Sequence, residues 1–255
     1  YAPAAWNEWM TLPNGKRVPT PSDQRRCKPL TDQVLLDHFT KRDLQFHNVV
    51  GLYPLSKDSK VWFLAIDFDD DGWKEEIIVT KRVCENHGLH PIMERSRSGD
   101  GGHLWMFFSE EIEAAQARKM GTALLSEAAQ KTHIRFRSYD RMFPNQDLLP
   151  SGGFGNLIAL PLQRLARDAG NRVFVDEQFN PYADQWAFLD SVQRITAQQV
   201  NAIATLASAN TGPLGNLAKF DSPIPHAVGQ KKETDKQAPT TGNGSLRTGS
   251  RTPTL

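Results

Sequence analysis

Cysteine is scarce in this sequence, which has only Cys27 and Cys84 among its 255 residues. The two thiols lie far apart and lack the spacing of metal ligands. Neither a disulfide framework nor a zinc module is therefore expected. Lone thiols are typical of a reducing compartment, and they predict a cytoplasmic protein.

Long apolar runs are also absent. No stretch is long enough to cross a bilayer, so we expect no membrane partner. Residues 1–21 contain Pro, Trp and Asn where a signal peptide requires a continuous apolar segment. The sequence does not begin with Met, which leads us to expect a piece of a longer protein.

An excess of charge of either sign is missing as well. Lys and Arg together number 30 and Asp and Glu 29. This balance neither requires nor excludes a nucleic-acid partner, because a local basic patch is sufficient for binding. The sequence has no Gly-x-x-x-x-Gly-Lys-[Ser/Thr] string, so it contains no helicase nucleotide loop.

Hydrophobic periodicity predicts three segments, which are an irregular lead-in over 1–30, a folded domain over 31–208 and a flexible, disordered tail over 209–255. From residue 61 the predicted order is strand, helix, strand, strand, helix, strand. This order indicates an α+β fold in which helices cover a sheet. We predict helices over 31–41, 73–87, 109–131 and 196–208, and strands over 49–55, 61–68, 91–97, 103–108, 134–139, 157–162 and 172–175.

An acidic pair ends the most apolar predicted strand. Asp67 and Asp69 point to the same face, because side chains alternate along a strand. Two adjacent carboxylates are tolerable when a hard cation such as Mg²⁺ or Mn²⁺ lies between them. The alternative is a solvated acidic turn, since Asp70 and Asp71 follow. Nucleases, phosphatases and sugar transferases also use such pairs.

A glycine-rich turn follows the next predicted strand. Gly101 and Gly102 allow the backbone to present N–H groups to phosphate oxygens. Cationic and hydroxyl donors surround this turn, which predicts a polyphosphate site. The alternative is an ordinary hairpin turn with surface arginines. The donors are Arg95, Arg97, Ser98 and His103.

A third polar segment covers residues 138–147. Either Asp140 or Asp147 can complete a carboxylate triad with the first two acids. Arg141 and Asn145 are candidates for contact with nucleotide or template. On its local pattern alone, the favoured interpretation of the segment is a loop with Asx-type turns around Pro144.

These three segments resemble, in order, the three motifs of archaeo-eukaryotic primases and primase-polymerases. Four longer strings are similar to one branch in particular, the primase domain of bacterial TOTE conflict systems. The match extends over about residues 45–195. The strings are Leu64 to Trp73, Glu94 to Phe108, Ser138 to Gln163 and Asp184 to Ala187.

The resemblance implies a modified RNA-recognition-motif-like antiparallel sheet with helices, beside an N-terminal α/β unit. Asp67, Asp69 and Asp140 would bind two Mg²⁺ or Mn²⁺ ions, with Asp147 as the rival third carboxylate. Ser98 and His103 would contact the nucleotide triphosphate.

The implied activity is template-directed joining of NTPs or dNTPs on single-stranded or primed DNA, beside a helicase module of the same system. Two alternatives remain open, a two-metal nuclease or phosphoesterase and a catalytically silent nucleic-acid- or nucleotide-binding module.

Overall fold

The computed structural model describes residues 4–5, 9–11, 13, 17–19, 27–42, 49–132, 137–149, 151 and 153–209. All of them belong to one compact unit, Tyr1–Pro223. The tail predicted over 209–255 lies outside the described residues except for its first residue. Within the described part of the chain, no helix is both long enough and apolar enough to span a bilayer.

The chain alternates strands and helices along most of its described length. The strands are β1 Ala4–Ala5, β2 Trp9–Thr11, β3 Arg17–Pro19, β4 Cys27–Lys28, β5 Gly51–Leu52, β6 Lys60–Asp69, β7 Ile92–Arg95, β8 Gly101–Glu113, β9 Tyr139–Phe143, β10 Ile158–Ala159 and β11 Phe174–Val175. The helices are α1 Asp32–Thr40, α2 Trp73–Asn86, α3 Ala114–Thr132, α4 Arg164–Asp168, α5 Gln185–Asp190 and α6 Ala197–Ala209.

The main sheet has five antiparallel strands in the order β11-β7-β8-β6-β9. The predicted order from residue 61 is present as β6-α2-β7-β8-α3-β9. Its last strand covers Tyr139–Phe143 and not 134–139 as predicted, and residues 134–136 lie outside the described residues. Four of the strands have the split βαβ arrangement, with β6 and β8 at the centre. The fold class is therefore α+β, as predicted.

Strand β6 is buried on both faces, as its continuous apolar sequence predicts. Leu64, Ile66 and Phe68 are fully buried in the core, and α2 and α3 contact both β6 and β8. Helix α3 lies close to β6, because a Cβ atom added to Gly121 would be 2.7 Å from the Leu64 side chain. This packing fixes the end of β6, where Asp67 and Asp69 lie.

A second sheet has the order β10-β5-β1-β4. Two of its strands, β1 and β4, lie in the segment predicted to be irregular, so that segment contributes to a sheet. The buried His38 side chain of α1 forms hydrogen bonds to the segments beside β5 and β10 of this sheet. Its Nδ1 accepts from the Val50 N–H at 3.1 Å, and its Nε2 donates to the Pro161 carbonyl at 2.9 Å.

The start that we predict for the third helix is wrong. We expected a helix from Ser109, but β8 continues to Glu113 and α3 begins at Ala114. Residues 109–113 are a strand because their backbone has partners outside the segment. Glu113 pairs with Lys60 of β6, and the Ser109 N–H donates to the Ile195 carbonyl at 2.9 Å. These tertiary hydrogen bonds outweigh the local capping signal.

Candidate active site

Three carboxylates meet where β6 and β9 lie side by side. Asp67 and Asp69 share one face of β6, and Asp140 belongs to β9. The register between the two strands shifts between Asp67 and Phe68. One oxygen from each carboxylate lies within 4.8 Å of the other two. The predicted clustering of two adjacent acids with Asp140 is therefore present in the structure.

The crowding of these acids has an electrostatic consequence. Partial burial, together with the charges of Asp67 and Asp140, raises the pKa of Asp69 above its usual value. The site therefore disfavours three negative charges in the absence of a counter-ion. Its donors are all carboxylate oxygens, which are the ligands that Mg²⁺ and Mn²⁺ prefer. The residues present fit a divalent metal site.

Asp147, the rival third carboxylate, has a different partner. Its Oδ1 lies 2.7 Å from Nε of Arg118, a buried residue of α3. The ion pair directs Asp147 to the helix, and it is not part of the carboxylate cluster. Between the two candidates, the structure brings Asp140 to the other acids.

A buried acid of α2 that the sequence analysis missed, Glu76, contacts the segment that leads to Asp140. The Glu76 carboxylate accepts hydrogen bonds from the Arg137 N–H at 2.8 Å and the Ser138 N–H at 3.1 Å, and also from the Ser138 hydroxyl. The Ser138 carbonyl in turn accepts from the Asp69 N–H at 2.7 Å. Glu76 thus holds the chain immediately before β9 against the end of β6.

His103 lies directly across the sheet from Asp67. Its Nε2 is 3.3 Å from Asp67 Oδ1, and its Nδ1 is 3.1 Å from Glu94 Oε2. Burial by itself would lower the pKa of His103, but the carboxylates of Glu94 and Asp67 outweigh burial and raise it to about 9. The two carboxylates therefore favour the charged form of the ring.

Two clefts open beside the acidic cluster, and Asp69 and Ser98 line both of them. The first, about 590 Å³, also contains Asp67, Arg97, His103 and Arg172. The second, about 900 Å³, is lined by Asp70, Asp71, Trp73, Lys74, Asp100 and Arg137. The first cleft is the better site for a polyphosphate, because it has three cationic side chains and two acids, whereas the second has two cationic side chains and four acids.

Gly101 and Gly102, predicted to lie in a turn, begin β8 and have a packing role there. A Cβ atom on Gly101 would lie 2.6 Å from the Phe68 carbonyl oxygen, and one on Gly102 would lie 2.6 Å from the Trp73 ring. Both positions thus require glycine for close approach of β8 to its neighbours.

The Ser98 hydroxyl lies 3.0 Å from Ser96 Oγ.

A family model described as the archaeo-eukaryotic primase domain of TOTE conflict systems matches residues 1–203. The chain belongs to this family. Membership supports a nucleotidyltransferase function of the primase type. The resemblance seen in the sequence motifs is thereby confirmed, over a longer part of the chain than the motifs themselves cover.

Among solved structures, this primase domain is similar to the polymerase domain from Mycobacterium tuberculosis ligase D in complex with DNA. The identity is 14% and the TM-score 0.33, and the alignment covers 69% of this chain and 64% of that one. The chain thus spans less than two thirds of that structure's length. No curated protein matches the chain.

The arginines predicted at the candidate site lie in three different environments. Arg97 lines the first cleft. Arg141 is beside the acids, with its Nε 2.6 Å from Asp140 Oδ2. Arg95 is on the opposite face of the sheet, where it donates to the carbonyls of Gly170 at 2.9 Å and Phe179 at 2.6 Å. The structure therefore does not bring Arg95 to the site.

Asn145 is also outside both clefts of the primase domain. Its backbone N–H donates to Asn156 Oδ1 at 3.2 Å, and the Asn156 amide donates to the Met142 carbonyl at 2.9 Å. These bonds hold the loop after β9. The structure therefore does not bring Asn145 to either cleft.

Proposed function

We propose that this domain is a template-directed nucleotidyltransferase that joins NTPs or dNTPs on single-stranded or primed DNA. The observation that carries the proposal is the cluster of Asp67, Asp69 and Asp140 from two adjacent strands, beside a cleft that contains His103. This arrangement supplies anionic ligands on one side and cationic groups on the other, which phosphoryl transfer requires.

Asp67, Asp69 and Asp140 are proposed to hold two Mg²⁺ or Mn²⁺ ions. When bound, such ions stabilise the attacking and leaving oxygens of an in-line displacement. The oxygen of a 3′-hydroxyl forms a bond to the α-phosphorus of the nucleotide. The bond between the α-phosphorus and the oxygen that bridges it to the β-phosphate breaks, and pyrophosphate leaves. The hydroxyl proton passes to solvent. The protein contributes position and charge, and no side-chain nucleophile is needed.

His103, Ser98 and Arg97 are proposed to bind the triphosphate of the incoming nucleotide. All three line the first cleft next to Asp67 and Asp69. Arg141 adds positive charge at the edge of the acidic cluster. We further propose that the domain works in the cytoplasm with a helicase module of the same conflict system.

The test is the fate of an end-labelled DNA strand annealed to a template. The strand is incubated with Mn²⁺ or Mg²⁺, with and without nucleoside triphosphates and with and without template. Lengthening that requires both triphosphate and template supports the proposal. Shortening without triphosphate would instead identify a nuclease, and binding without turnover a silent module.

His103→Ala is expected to raise the apparent KM for nucleotide by about 10–100-fold, the value of one charge-assisted hydrogen bond. We expect a smaller effect on kcat, because the ring does not contact the reacting hydroxyl. Steady-state incorporation at varied nucleotide concentration measures both constants. The exposed His90 provides the matched control, and an unchanged KM in His103→Ala would remove His103 from the nucleotide site.

A further inference from the structure

Glu94 is a buried acid beside the proposed site, and the function described above does not use it. Its side chain is fully buried on β7, directly across from His103. Its Oε2 accepts from His103 Nδ1 at 3.1 Å and from Trp105 Nε1 at 2.7 Å. An isolated carboxylate in such a place is costly, so its partners must compensate the charge.

Arg172 is the second charged member of this cluster. Its side chain is 4% exposed, and its Nη1 forms an ion pair with Glu94 Oε1 at 2.9 Å. Its Nη2 donates to the Ala159 carbonyl at 2.5 Å. These contacts place the guanidinium at the wall of the cleft that also contains His103 and Asp67.

The backbone at Arg172 supports a specific role for its side chain. Its φ is 56°, in the left-handed region that non-glycine residues adopt at a cost. Hydrogen bonds hold this conformation, from the Arg172 N–H to the Arg95 carbonyl at 2.9 Å and from the Leu162 N–H to the Arg172 carbonyl at 2.8 Å. A strained residue with a buried charge at a cleft is typical of functional sites.

We infer that Glu94 and Arg172 are positioning residues that hold the His103 ring with Nε2 directed to Asp67 and to the nucleotide phosphates. A carboxylate can only accept, so Glu94 keeps the proton on Nδ1 and fixes the ring plane. Arg172 holds the Glu94 carboxylate in place. This inference rests on the proposed function, because it assigns both residues to nucleotide binding through His103.

Glu94→Gln tests the inference because the amide cannot replace the carboxylate in either orientation. With its NH₂ at the Oε2 position, it faces the N–H groups of His103 and Trp105. With its NH₂ at the Oε1 position, it faces the guanidinium of Arg172. We expect the KM for nucleotide to rise by about 10–100-fold, as for other groups that orient a functional side chain.

A double-variant cycle shows whether the effect passes through His103. In the His103→Ala background, Glu94→Gln is expected to cause no further rise in KM, because the ring that it positions is gone. Effects that multiply would overturn the inference. So would an unchanged KM accompanied by a lower melting temperature, which would indicate a structural role alone.

Trp105→Phe is a milder variant, because it retains a buried aromatic ring while it removes the N–H donor to Glu94 and part of the ring volume. We expect a KM increase of a few-fold. Trp62→Phe is the matched control, since Trp62 lies exposed on β6 and outside the cluster. Equal KM values for the two variants would contradict the inference.

Calorimetric binding of a non-hydrolysable nucleoside triphosphate with Mn²⁺ separates this inference from the proposed function. If the wild-type domain binds the triphosphate but incorporates no nucleotide, the proposed function fails. The double-variant cycle of Glu94→Gln and His103→Ala is then measured with the triphosphate affinities in place of KM. Non-additive affinity losses would still support the positioning role. Additive losses, or no loss, would overturn it.

Discussion

Asp69→Asn is expected to reduce nucleotide incorporation by about 1,000-fold or more, because it removes a ligand from a site that supplies several kcal/mol of transition-state stabilisation. Asparagine has almost the same shape as aspartate, so core packing is unchanged. The variant also removes a carboxylate whose pKa is raised by burial and by the charges of Asp67 and Asp140. Its melting temperature without divalent ions should therefore equal or exceed that of the wild type.

The combination of lost activity with retained stability distinguishes a ligand from a structural acid. Asp70→Asn is the matched control, since Asp70 is the next residue, is exposed and has a φ of 71°. Asparagine adopts this left-handed conformation readily. We expect the control to retain activity within a few-fold. Equal activity of Asp69→Asn and Asp70→Asn would exclude Asp69 as a ligand.

Glu76→Gln is expected to lower both the stability and the activity of the domain. The amide cannot accept from the N–H groups of Arg137 and Ser138 at once, which leaves one buried donor unpaired at a cost of about 1–3 kcal/mol. The chain before β9 should then shift, and Asp140 with it. A displacement near 1 Å at a catalytic group can cost about 100-fold in rate.

Urea unfolding gives the stability change for Glu76→Gln, and incorporation assayed well below the melting temperature gives the activity. Glu75→Gln is the control, because Glu75 is the exposed neighbour on the same helix. If Glu76→Gln lost stability while keeping full activity in the folded protein, Glu76 would not position Asp140. Unchanged stability would show that its hydrogen bonds are dispensable.

The centre of the sheet was predictable from sequence because its strands carry strong local signals. β6 is apolar on both faces and ends in an acidic pair, and β8 begins with two glycines after a turn that contains Gly99. These patterns located Asp67, Asp69 and His103. Short elements gave no such signal, and α4 and α5, with five and six residues, were not predicted.

The choice of the third carboxylate could not be made from sequence. Asp140 joins the acidic cluster because of a register shift between β6 and β9, and Asp147 is directed elsewhere by Arg118 on α3. Both causes are tertiary. The assignment of Arg95 failed for a related reason, since only the pairing of Glu94 with His103 shows which face of β7 lies towards the site.

Glu76 and Glu94 are charged residues at positions that the hydrophobic pattern assigns to the core, and this mismatch can be recognised in the sequence. Glu76 lies between Trp73 and Ile77 on the apolar stripe of α2, and Glu94 follows the buried Met93 in a strand. A charged residue at a predicted core position must have a partner, because a buried unpaired charge is costly. In this protein, Glu94 contacts His103 of the candidate site, and Glu76 contacts the segment that leads to Asp140.

The most direct test of the account is to count the Mn²⁺ ions bound with a non-hydrolysable nucleoside triphosphate, by electron paramagnetic resonance or calorimetry. The account predicts about two ions for the wild type and for Asp70→Asn, and weaker or fewer ions for Asp69→Asn. The same number and affinity of ions in all three proteins would contradict the proposal that Asp67, Asp69 and Asp140 form the metal site.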